Sequence, residues 1–411
     1  MTGDKQGDYD PTKIEAESQQ DEGGDHSKKE GEEGGRRLSA HWSVDDAIAA
    51  GHLSAEWRPA FERAPRTNFV PEGIWIPSGD GYAWTTRSAD PDAWQAAVSA
   101  DRPVVTQVDD GKTKPGEIGG SPTSSGSMPT VVALMLDALD VAPEHRVLEI
   151  GTGTGWNAAL LTARLCEDHV TTVEVDPDVC ASAKTALRDA GLNPTVVCAD
   201  GEDGYAPNAP YDRVIATASV YRVPQSWIAQ TRPGGLIIAP WITDWHNAAL
   251  LRLSVKEDNT AVGRFDGNVS FMRLRAQRDQ HADCRVCDIG ETGPTTETIT
   301  DRVIVRDTMA DIHGSFFVGL GLPDVYHYAD EADSGRWTAV HIHEIHGSWA
   351  TIDLTPATPT VRQSGPRRLW DEVAALHAEW VERGKPEYTR FGLTVTPDRQ
   401  DVWLGAPESV R

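Results

Sequence analysis

The sequence predicts an α/β protein whose sheet is mostly parallel and ends in an antiparallel edge hairpin. Three observations indicate this fold: a glycine-rich turn between a short apolar strand and a helix, a continued alternation of strands with helices, and a last pair of strands without a helix between them. Alternating strands and helices favour a parallel sheet, because each crossover helix returns the chain to the same end. Strands joined by a short turn pair antiparallel instead.

The elements of this sheet follow one another between residues 147 and 271. Strands are predicted at 147–150, 170–175, 195–199, 211–216, 234–240, 248–255 and 263–271, and helices at 157–165 and 224–232. Pro224 suits the first turn of its helix, because proline lacks the N–H group that a helix start leaves unpaired. Asp258 and Asn259 favour the turn between the last two strands.

Glycines alternate with other residues directly after the first strand, at Gly151, Gly153 and Gly155. They allow the backbone to turn tightly and to approach a ligand, and the following helix start offers unpaired N–H groups. Glu174 ends the next strand, where a carboxylate can bind a ribose diol, and Asp200 follows the third strand, in a position to meet an adenine edge. Together these features predict a nucleoside site.

The spacing of the turn distinguishes between two nucleoside ligands. A dinucleotide fold requires G-x-G-x-x-G around a pyrophosphate, but Trp156 occupies its last glycine position here. The form E-x-G-x-G-x-G suits S-adenosylmethionine, which has no pyrophosphate. The alternative is a glycine turn that only packs a helix on a strand. We expect S-adenosylmethionine, leaving as S-adenosylhomocysteine, at Glu149, Gly151, Thr152, Gly153, Gly155, Trp156, Glu174, Asp200, Gly201 and Thr217.

Ser125, Ser127 and Pro129 lie ahead of the first strand, and residues 66–71 read Arg-Thr-Asn-Phe-Val-Pro. The first set resembles the T-x-S-x-P segment of protein L-isoaspartyl O-methyltransferases, and the second resembles their P-R-x-x-F-V-P segment. The resemblance covers residues 41 to 275 and implies a class I methyltransferase fold with a Rossmann-like, seven-stranded sheet. Thr130 departs from the family, which has an aromatic residue or histidine there.

The resemblance places Ser127 on the active-site serine of the family and Ser125 on its threonine. Methyl transfer from a sulfonium to a carboxylate needs alignment rather than acid–base chemistry. We therefore expect Ser127, supported by Ser125, to donate a hydrogen bond to one carboxylate oxygen and leave the other aimed at the methyl group. The alternative for Ser127 is the N-cap of a helix over 130–139.

The C-terminal segments at 364–371 and 390–404 resemble those of long isoaspartyl methyltransferase homologues from actinobacterial gene clusters for peptide maturation. Those enzymes serve ribosomally made peptides, either lanthipeptides or ATP-grasp peptides (graspetides). The resemblance implies methylation of an aspartate in a macrocyclised precursor peptide, followed by collapse to an aspartimide that either persists or hydrolyses to isoaspartate. Two alternatives stay open: a general repair methyltransferase for isoaspartyl residues, and a catalytically inert protein that escorts a precursor peptide.

Composition predicts a cytoplasmic enzyme, with a monomer as its expected state. The 411 residues carry a net charge of −25, which argues against nucleic acid as a partner. No apolar run approaches the ~20 residues of a membrane span, and the five cysteines suit a reducing compartment. We expect a disordered acidic tail at 1–38, a helical and irregular segment over the active site at 39–120, the methyltransferase domain at 121–278, and an α+β domain at 279–411 that recognises the peptide.

Within 279–411, strands are predicted at 298–305 and 337–343, and a hairpin at 391–395 and 401–404. An amphipathic helix carries Leu369, Val373, Leu376 and Trp380 on one face and ends before Gly384. Three tryptophans lie close together in 39–120: Trp75, Trp84 and Trp94. We expect them to be buried and to pack in the core, and the alternative is that they form an exposed platform for a peptide.

Two sets of side chains have a functional and an ordinary interpretation. Arginines at 273, 275 and 278, and at 362, 367 and 368, form either basic patches for an acidic peptide or a solvated surface. Cys284-x-x-Cys287, with His281, His341, His343 and His346, is half of a zinc signature, but structural zinc takes four protein ligands. We expect no metal, because buried thiols and polar strand histidines are the common case.

Overall fold

The computed structural model describes residues 41–79, 81–278, 295–332 and 334–407. The predicted tail at 1–38 and the Cys284-x-x-Cys287 segment lie outside these ranges. The α-helices are α1 Val44–Ala49, α2 Arg58–Arg63, α3 Pro91–Ser99, α4 Pro129–Leu139, α5 Trp156–Arg164, α6 Pro177–Asp189, α7 Gln225–Gln230, α8 Arg302–Val305, α9 Ile312–Gly321 and α10 Leu369–Glu382. The strands are β1 Gly73–Ser78, β2 Gly81–Thr86, β3 Val104–Val108, β4 Ile118–Gly119, β5 Pro122–Gly126, β6 Val147–Ile150, β7 Val170–Glu174, β8 Thr195–Cys198, β9 Tyr211–Ala216, β10 Thr231–Trp241, β11 Ala249–Val255, β12 Ala261–Phe265, β13 Thr296–Ile299, β14 Val325–Glu331, β15 Trp337–Glu344, β16 Trp349–Asp353, β17 Thr360–Ser364, β18 Phe391–Val395 and β19 Gln400–Leu404.

The central sheet confirms the predicted class I methyltransferase fold. Its order is β19-β18-β12-β11-β10-β9-β6-β7-β8, in which β8, β7, β6, β9 and β10 are parallel and the remaining strands antiparallel. The described residues thus contribute nine strands, and the expected number of seven was wrong. The C-terminal hairpin β18–β19 adds to β12, with Ala261 opposite Val395. This pairing covers an edge that would otherwise expose unpaired backbone groups.

The first strand of the glycine turn lies at the centre of this sheet. All of β6 is buried, with Leu148 and Ile150 at 0% exposure. Helices α4 and α5 pack on one face, and the opposite face carries α7 together with α9 and α10 from the C-terminal region. Burying each such leucine or isoleucine contributes about 1.5–3 kcal/mol, so packing fixes the strand whose end presents the turn.

The segment expected to be helical and irregular at 39–120 contains helices α1, α2 and α3 and also most of a small antiparallel sheet. Ser43 accepts a hydrogen bond from the Asp46 N–H as the N-cap of helix α1. In the described ranges, the sheet has five strands in the order β4-β2-β1-β3-β5, and its strand β5 lies in the predicted methyltransferase segment that begins at residue 121. Trp75 pairs with Trp84 across β1 and β2, their ring centroids 5.3 Å apart. Such cross-strand aromatic pairs stabilise a hairpin, which the Pro- and Gly-rich composition had obscured.

The C-terminal region forms another antiparallel sheet, in the order β13-β17-β16-β15-β14. The prediction of a strand at 298–305 was wrong beyond Ile299: Asp301 accepts a hydrogen bond from the Val303 N–H and starts α8. Strand β15 and the predicted helix, which is α10, are confirmed, and α10 ends before Gly384. The C-terminal region packs against the central sheet, where Phe316 of α9 contacts the rings of Trp241 and Phe265.

A loop after β10 joins the C-terminal region to the methyltransferase sheet. Trp245 Nε1 donates to Thr308 O at 2.8 Å, and His246 Nδ1 lies 3.2 Å from Ser315 Oγ. Burial lowers the pKa of His246 to about 3, and it lowers the pKa of His327, whose Nε2 lies 3.1 Å from Trp245 O, to about 4. This junction therefore depends on neutral imidazoles. In the part of the chain described, no helix is long and apolar enough to cross a membrane.

Candidate active site

A cavity of about 100 Å³ lies where β6, β7 and β9 end, the edge at which open α/β sheets bind ligands. The structure brings most of the residues predicted from the sequence to its wall: Ser125, Ser127, Glu149, Gly151, Thr152, Gly153, Trp156, Glu174, Gly201 and Thr217. Gly155 and Asp200 were also expected to contact the cofactor, but neither lines the cavity. The glycine turn and the serine segment, which are distant in the sequence, therefore share one site.

The turn requires glycine at the two positions that face the site. Gly151 and Gly153 adopt φ angles of +94° and +52°, in the region that side chains disfavour. A Cβ atom on Gly151 would lie 2.8 Å from Thr217 Oγ1, and one on Gly153 would lie 3.3 Å from the Ser125 carbonyl oxygen. The second contact shows that the serine segment lies directly against the turn.

Gly155 and Asp200 also have structural roles, and their contact with the cofactor stays a prediction. A Cβ atom on Gly155 would meet Leu187 at 3.3 Å and Ala183 at 3.5 Å, so this glycine allows α6 to pack closely. Asp200 Oδ1 accepts a hydrogen bond from the Glu202 N–H at 2.9 Å and starts the 3₁₀ turn Gly201–Asp203. Its carboxylate is held by this local turn, a contact that strand-end position alone could not reveal.

Two buried carboxylates lie beside the turn. Glu174 accepts hydrogen bonds from the N–H groups of Gly153 at 2.9 Å and Asp176 at 3.1 Å. Glu149 is fully buried, and its Oε1 accepts from Asn157 Nδ2 at 2.7 Å. Burial, with a smaller contribution from the Glu174 charge, raises the pKa of Glu149 to about 7. Its Oε2 atom has no hydrogen-bond partner in the described residues.

This donor and acceptor pattern fits S-adenosylmethionine. A buried carboxylate oxygen without a partner suits a cation such as the ammonium group of that molecule, because an unpaired charge is costly inside a protein. Glu174 retains lone pairs for ribose hydroxyls, and the glycine backbone allows close approach. Glu149, Glu174 and the turn at 151–153 would hold the cofactor, which supplies a methyl group on a sulfonium.

The serine segment leaves Ser127 available to a substrate. Strand β5 ends at Gly126 and α4 begins at Pro129, with Met128 as an N-cap residue that gives no side-chain cap. The carboxylate of Asp101 caps this helix, since it accepts from Thr130 N at 2.9 Å and from Thr130 Oγ1 at 2.6 Å. The alternative in which Ser127 caps α4 is therefore wrong for the described structure.

Arg66 fixes the backbone of the serine segment from behind. It is 8% exposed, and burial lowers its pKa to about 10. Its guanidinium donates to five carbonyl oxygens, those of Val98, Ala100, Arg102, Gly126 and Ser127. Since two of these precede or include Ser127, Arg66 holds the strand end that presents the hydroxyl.

Sequence reasoning missed several cavity residues. Arg273, Arg275 and Arg278 were expected in a basic patch, and they also line the cavity. Asn157, which donates a hydrogen bond to Glu149, was also missed. The only sequence signal for it is that a polar residue occurs in the first helical turn after the glycines. The arginines of the second expected patch do not line the cavity: Arg367 pairs with Glu372 and Arg368 with Asp371, and Arg362 lies 5.8 Å from the ring of Trp349.

The histidines of the half zinc signature have other contacts. His341 Nε2 lies 3.0 Å from Asp330 Oδ2, and its ring stacks on Tyr328. Within the described ranges, no group of three or more His, Cys, Asp or Glu side chains is arranged to hold a metal ion. The two cysteines of the motif lie outside those ranges.

Comparisons with known proteins identify relatives of this chain. The family model for protein-L-isoaspartate(D-aspartate) O-methyltransferase matches residues 107–279. Protein-L-isoaspartate O-methyltransferase of Pyrococcus horikoshii is 38% identical over 150 residues, which are 36% of this chain and 67% of the relative. The same enzyme of Methanosarcina mazei is 31% identical over 249 residues, 60% of this chain and 86% of the relative.

Two solved structures are similar in fold. One, described as a protein-L-isoaspartate O-methyltransferase, has 20% identity and a TM-score of 0.49, and the match covers 87% of this chain and 98% of the other. Another is a Plasmodium falciparum protein described as a possible protein-L-isoaspartate O-methyltransferase in complex with S-adenosyl-L-homocysteine. It has 14% identity and a TM-score of 0.41, over 56% of this chain and 95% of the other.

Proposed function

The chain belongs to the protein-L-isoaspartate O-methyltransferase family and is an S-adenosylmethionine-dependent carboxyl O-methyltransferase, and we propose that it methylates the free carboxylate of isoaspartyl residues in peptides. One observation carries this proposal: Ser127 and the glycine turn line the same cavity. The acceptor-binding hydroxyl and the cofactor-binding backbone therefore face one space, as direct methyl transfer between two bound molecules requires.

The residues on this wall can align a carboxylate without a general base. A carboxylate is already a nucleophile at neutral pH, so a new O–C bond forms as the C–S bond breaks, and no proton has to move. Ser127 donates a hydrogen bond to one carboxylate oxygen and leaves the other free to attack. Positioning of this kind is worth several kcal/mol of the barrier, on the order of 10- to 1,000-fold in rate.

A second candidate substrate is an aspartate in a macrocyclised, ribosomally made precursor peptide, as in the long actinobacterial homologues. The contact of Asp244 with both the cavity wall and the C-terminal region favours it. Asp244 Oδ1 lies 3.1 Å from Arg273 Nη2, and its Oδ2 accepts from the Asp324 N–H at 3.1 Å. Through this contact, residues beyond 279 are positioned to influence which peptide reaches Ser127.

For this second substrate, the product follows from the chemistry of the ester. Methoxide is a better leaving group than hydroxide, so the next backbone nitrogen attacks the ester carbonyl. A C–N bond then forms, methanol leaves, and aspartimide results. Hydrolysis of the ring yields isoaspartate. In this proposal the segment at 39–120 covers the site, and 279–411 recognises the peptide ring.

Mass spectrometry of two peptides incubated with enzyme and S-adenosylmethionine separates the candidates. One is a linear isoaspartyl peptide, and the other is a macrocyclised, ribosomally made precursor peptide that contains an aspartate. Gain of a CH₂ mass on the isoaspartyl peptide supports the first candidate. The same gain on the cyclised peptide alone, followed by loss of methanol, supports the second. A third outcome is that the precursor peptide binds equally well with and without the cofactor and neither peptide is methylated. This outcome would indicate the inert escort and contradict both candidate substrates.

A further inference from the structure

Ion pairs connect the small N-terminal sheet to the methyltransferase sheet at the rim of the cavity. Arg275 Nη2 lies 3.0 Å from Asp176 Oδ2, and Arg275 Nε lies 3.5 Å from Asp110 Oδ1. Arg278 Nη1 donates to the same Asp110 oxygen at 2.8 Å. Both arginines line the cavity, whereas Asp110 belongs to the loop after β3. The contacts of Asp110 therefore connect the cavity wall to the small N-terminal sheet, whose strand β5 contributes Ser125 to that wall.

Gln107 reinforces this connection from the end of β3. Its Nε2 donates to Asp176 Oδ2 at 3.0 Å, and its Oε1 accepts from Arg275 Nη2 at 3.0 Å. Asp176 follows Glu174, the expected ribose ligand, by two residues and caps α6. The connection therefore reaches the end of β7, where the cofactor is expected to bind.

The loop that carries Asp110 has an unusual backbone. Asp109, Asp110 and Gly111 have φ angles of +51°, +52° and +75°, and left-handed residues other than glycine persist only where their surroundings enforce them. The Asp109 carboxylate does so here, because it accepts hydrogen bonds from Thr113 Oγ1 and from the N–H groups of Gly120 and Ser121. The loop is thus a preformed unit that presents the Asp110 carboxylate.

The ion pairs lie beside a narrow cavity. Its volume of about 100 Å³ is below the roughly 300 Å³ at which pockets for cofactor-sized ligands begin. We propose that Asp110, Arg275 and Arg278 form a clamp across the cavity rim, which opens to exchange the cofactor and sets the rate at which S-adenosylhomocysteine leaves. The proposal rests on the cofactor site described above, but it does not depend on which peptide is methylated.

The substitution Asp110→Asn tests the clamp. Asparagine tolerates the left-handed region, so the variant removes the charge without straining the loop. The measurement is the dissociation rate of S-adenosylhomocysteine, followed by the intrinsic tryptophan fluorescence of the full-length protein with Trp156 in the cavity wall. We expect release to be about 5- to 30-fold faster at low salt, the range for losing partly exposed, charge-assisted contacts. Salt should accelerate release from the wild type and have little effect on the variant.

A double-mutant cycle distinguishes the clamp from a general loosening of the loop. If Asp110 and Arg278 act through their ion pair, Asp110→Asn combined with Arg278→Gln should release the product no faster than Asp110→Asn alone. Asp189→Asn is the matched control, because Asp189 pairs with Arg188 on the exposed side of α6. This control should leave the release rate unchanged.

The clamp would be overturned if Asp110→Asn released S-adenosylhomocysteine at the wild-type rate at low salt. It would also be overturned if Asp110→Asn and Arg278→Gln each increased the release rate and their effects multiplied in the double variant. An equal acceleration by Asp189→Asn would also contradict it. The proposed function can fail separately. If the release rates are as expected but neither test peptide is methylated, the clamp is supported and the proposed function is contradicted. The release assay contains no peptide, so the two failures are distinguishable.

Discussion

Replacing Arg66 by lysine should weaken both the fold and the methyl transfer, for one structural reason. The guanidinium of Arg66 donates to five backbone carbonyl oxygens around the serine segment. A lysine ammonium has three donors, so at least two of these carbonyls lose their partner in Arg66→Lys. At about 1–2 kcal/mol for each buried group left unsatisfied, we expect the free energy of unfolding to fall by about 2–4 kcal/mol.

The effect on function should fall mainly on the acceptor side of the site. Among the described residues, Arg66 donates to the carbonyls of Gly126 and Ser127 and makes no hydrogen bond to the glycine turn, and its one contact on the cofactor side is with the ring of Trp156, 5.5 Å away. In Arg66→Lys, kcat should therefore fall by about 10- to 100-fold, as for other misplaced positioning groups, while the Kd for S-adenosylhomocysteine changes less than threefold (about 0.6 kcal/mol). Urea unfolding, initial rates and calorimetry measure the three quantities. Wild-type kcat in a destabilised variant, or an equal loss of cofactor affinity, would refute this role for Arg66.

Three further substitutions test the remaining parts of the site and the junction. Ser127→Ala should lower kcat by about 10- to 1,000-fold and leave the free energy of unfolding unchanged, because the Ser127 hydroxyl caps no described helix. A lower free energy of unfolding with an unchanged kcat would indicate a structural role for Ser127. Glu149 has its pKa raised to about 7, so the cofactor-free protein should lose up to about 3 kcal/mol as pH rises from about 4.5 to 7. Glu149→Gln should remove this loss in urea titrations and weaken cofactor binding; parallel pH curves for the two proteins would contradict the assignment. His246 has its pKa lowered to about 3, so this imidazole alone should reduce the free energy of unfolding of the wild type by about 2 kcal/mol as pH falls from about 6.5 to 5. The stability gap between wild type and His246→Gln should shrink over that range, and a constant gap would show that the imidazole does not control the junction.

Local sequence patterns determined the methyltransferase half of the fold. The apolar strand at 147–150, the glycines after it and the alternation that follows are each short-range signals, because strand period and turn conformation depend on neighbouring residues. They also located Glu149 and Glu174, which lie at fixed offsets from the turn. Signals of this range could not distinguish Gly155, which packs against α6, from the two glycines that face the cavity.

The sequence also placed Ser127 in the site through its resemblance to a family, but it left the helix cap open as an alternative. Only the tertiary structure decided between them, by bringing Asp101 to the start of α4. The same limit explains Arg66 and Asp110, whose partners lie far along the chain. No local pattern encodes such pairs.

The hairpin at 391–404 shows the same division between local and distant information. The sequence determined that these residues form two antiparallel strands, since alternation and the turn at Pro397 are local. It did not determine that they pair with β12 and extend the central sheet to nine strands among the described residues. Sheet edges accept any strand with a matching face, so the choice of partner follows from how the whole chain packs.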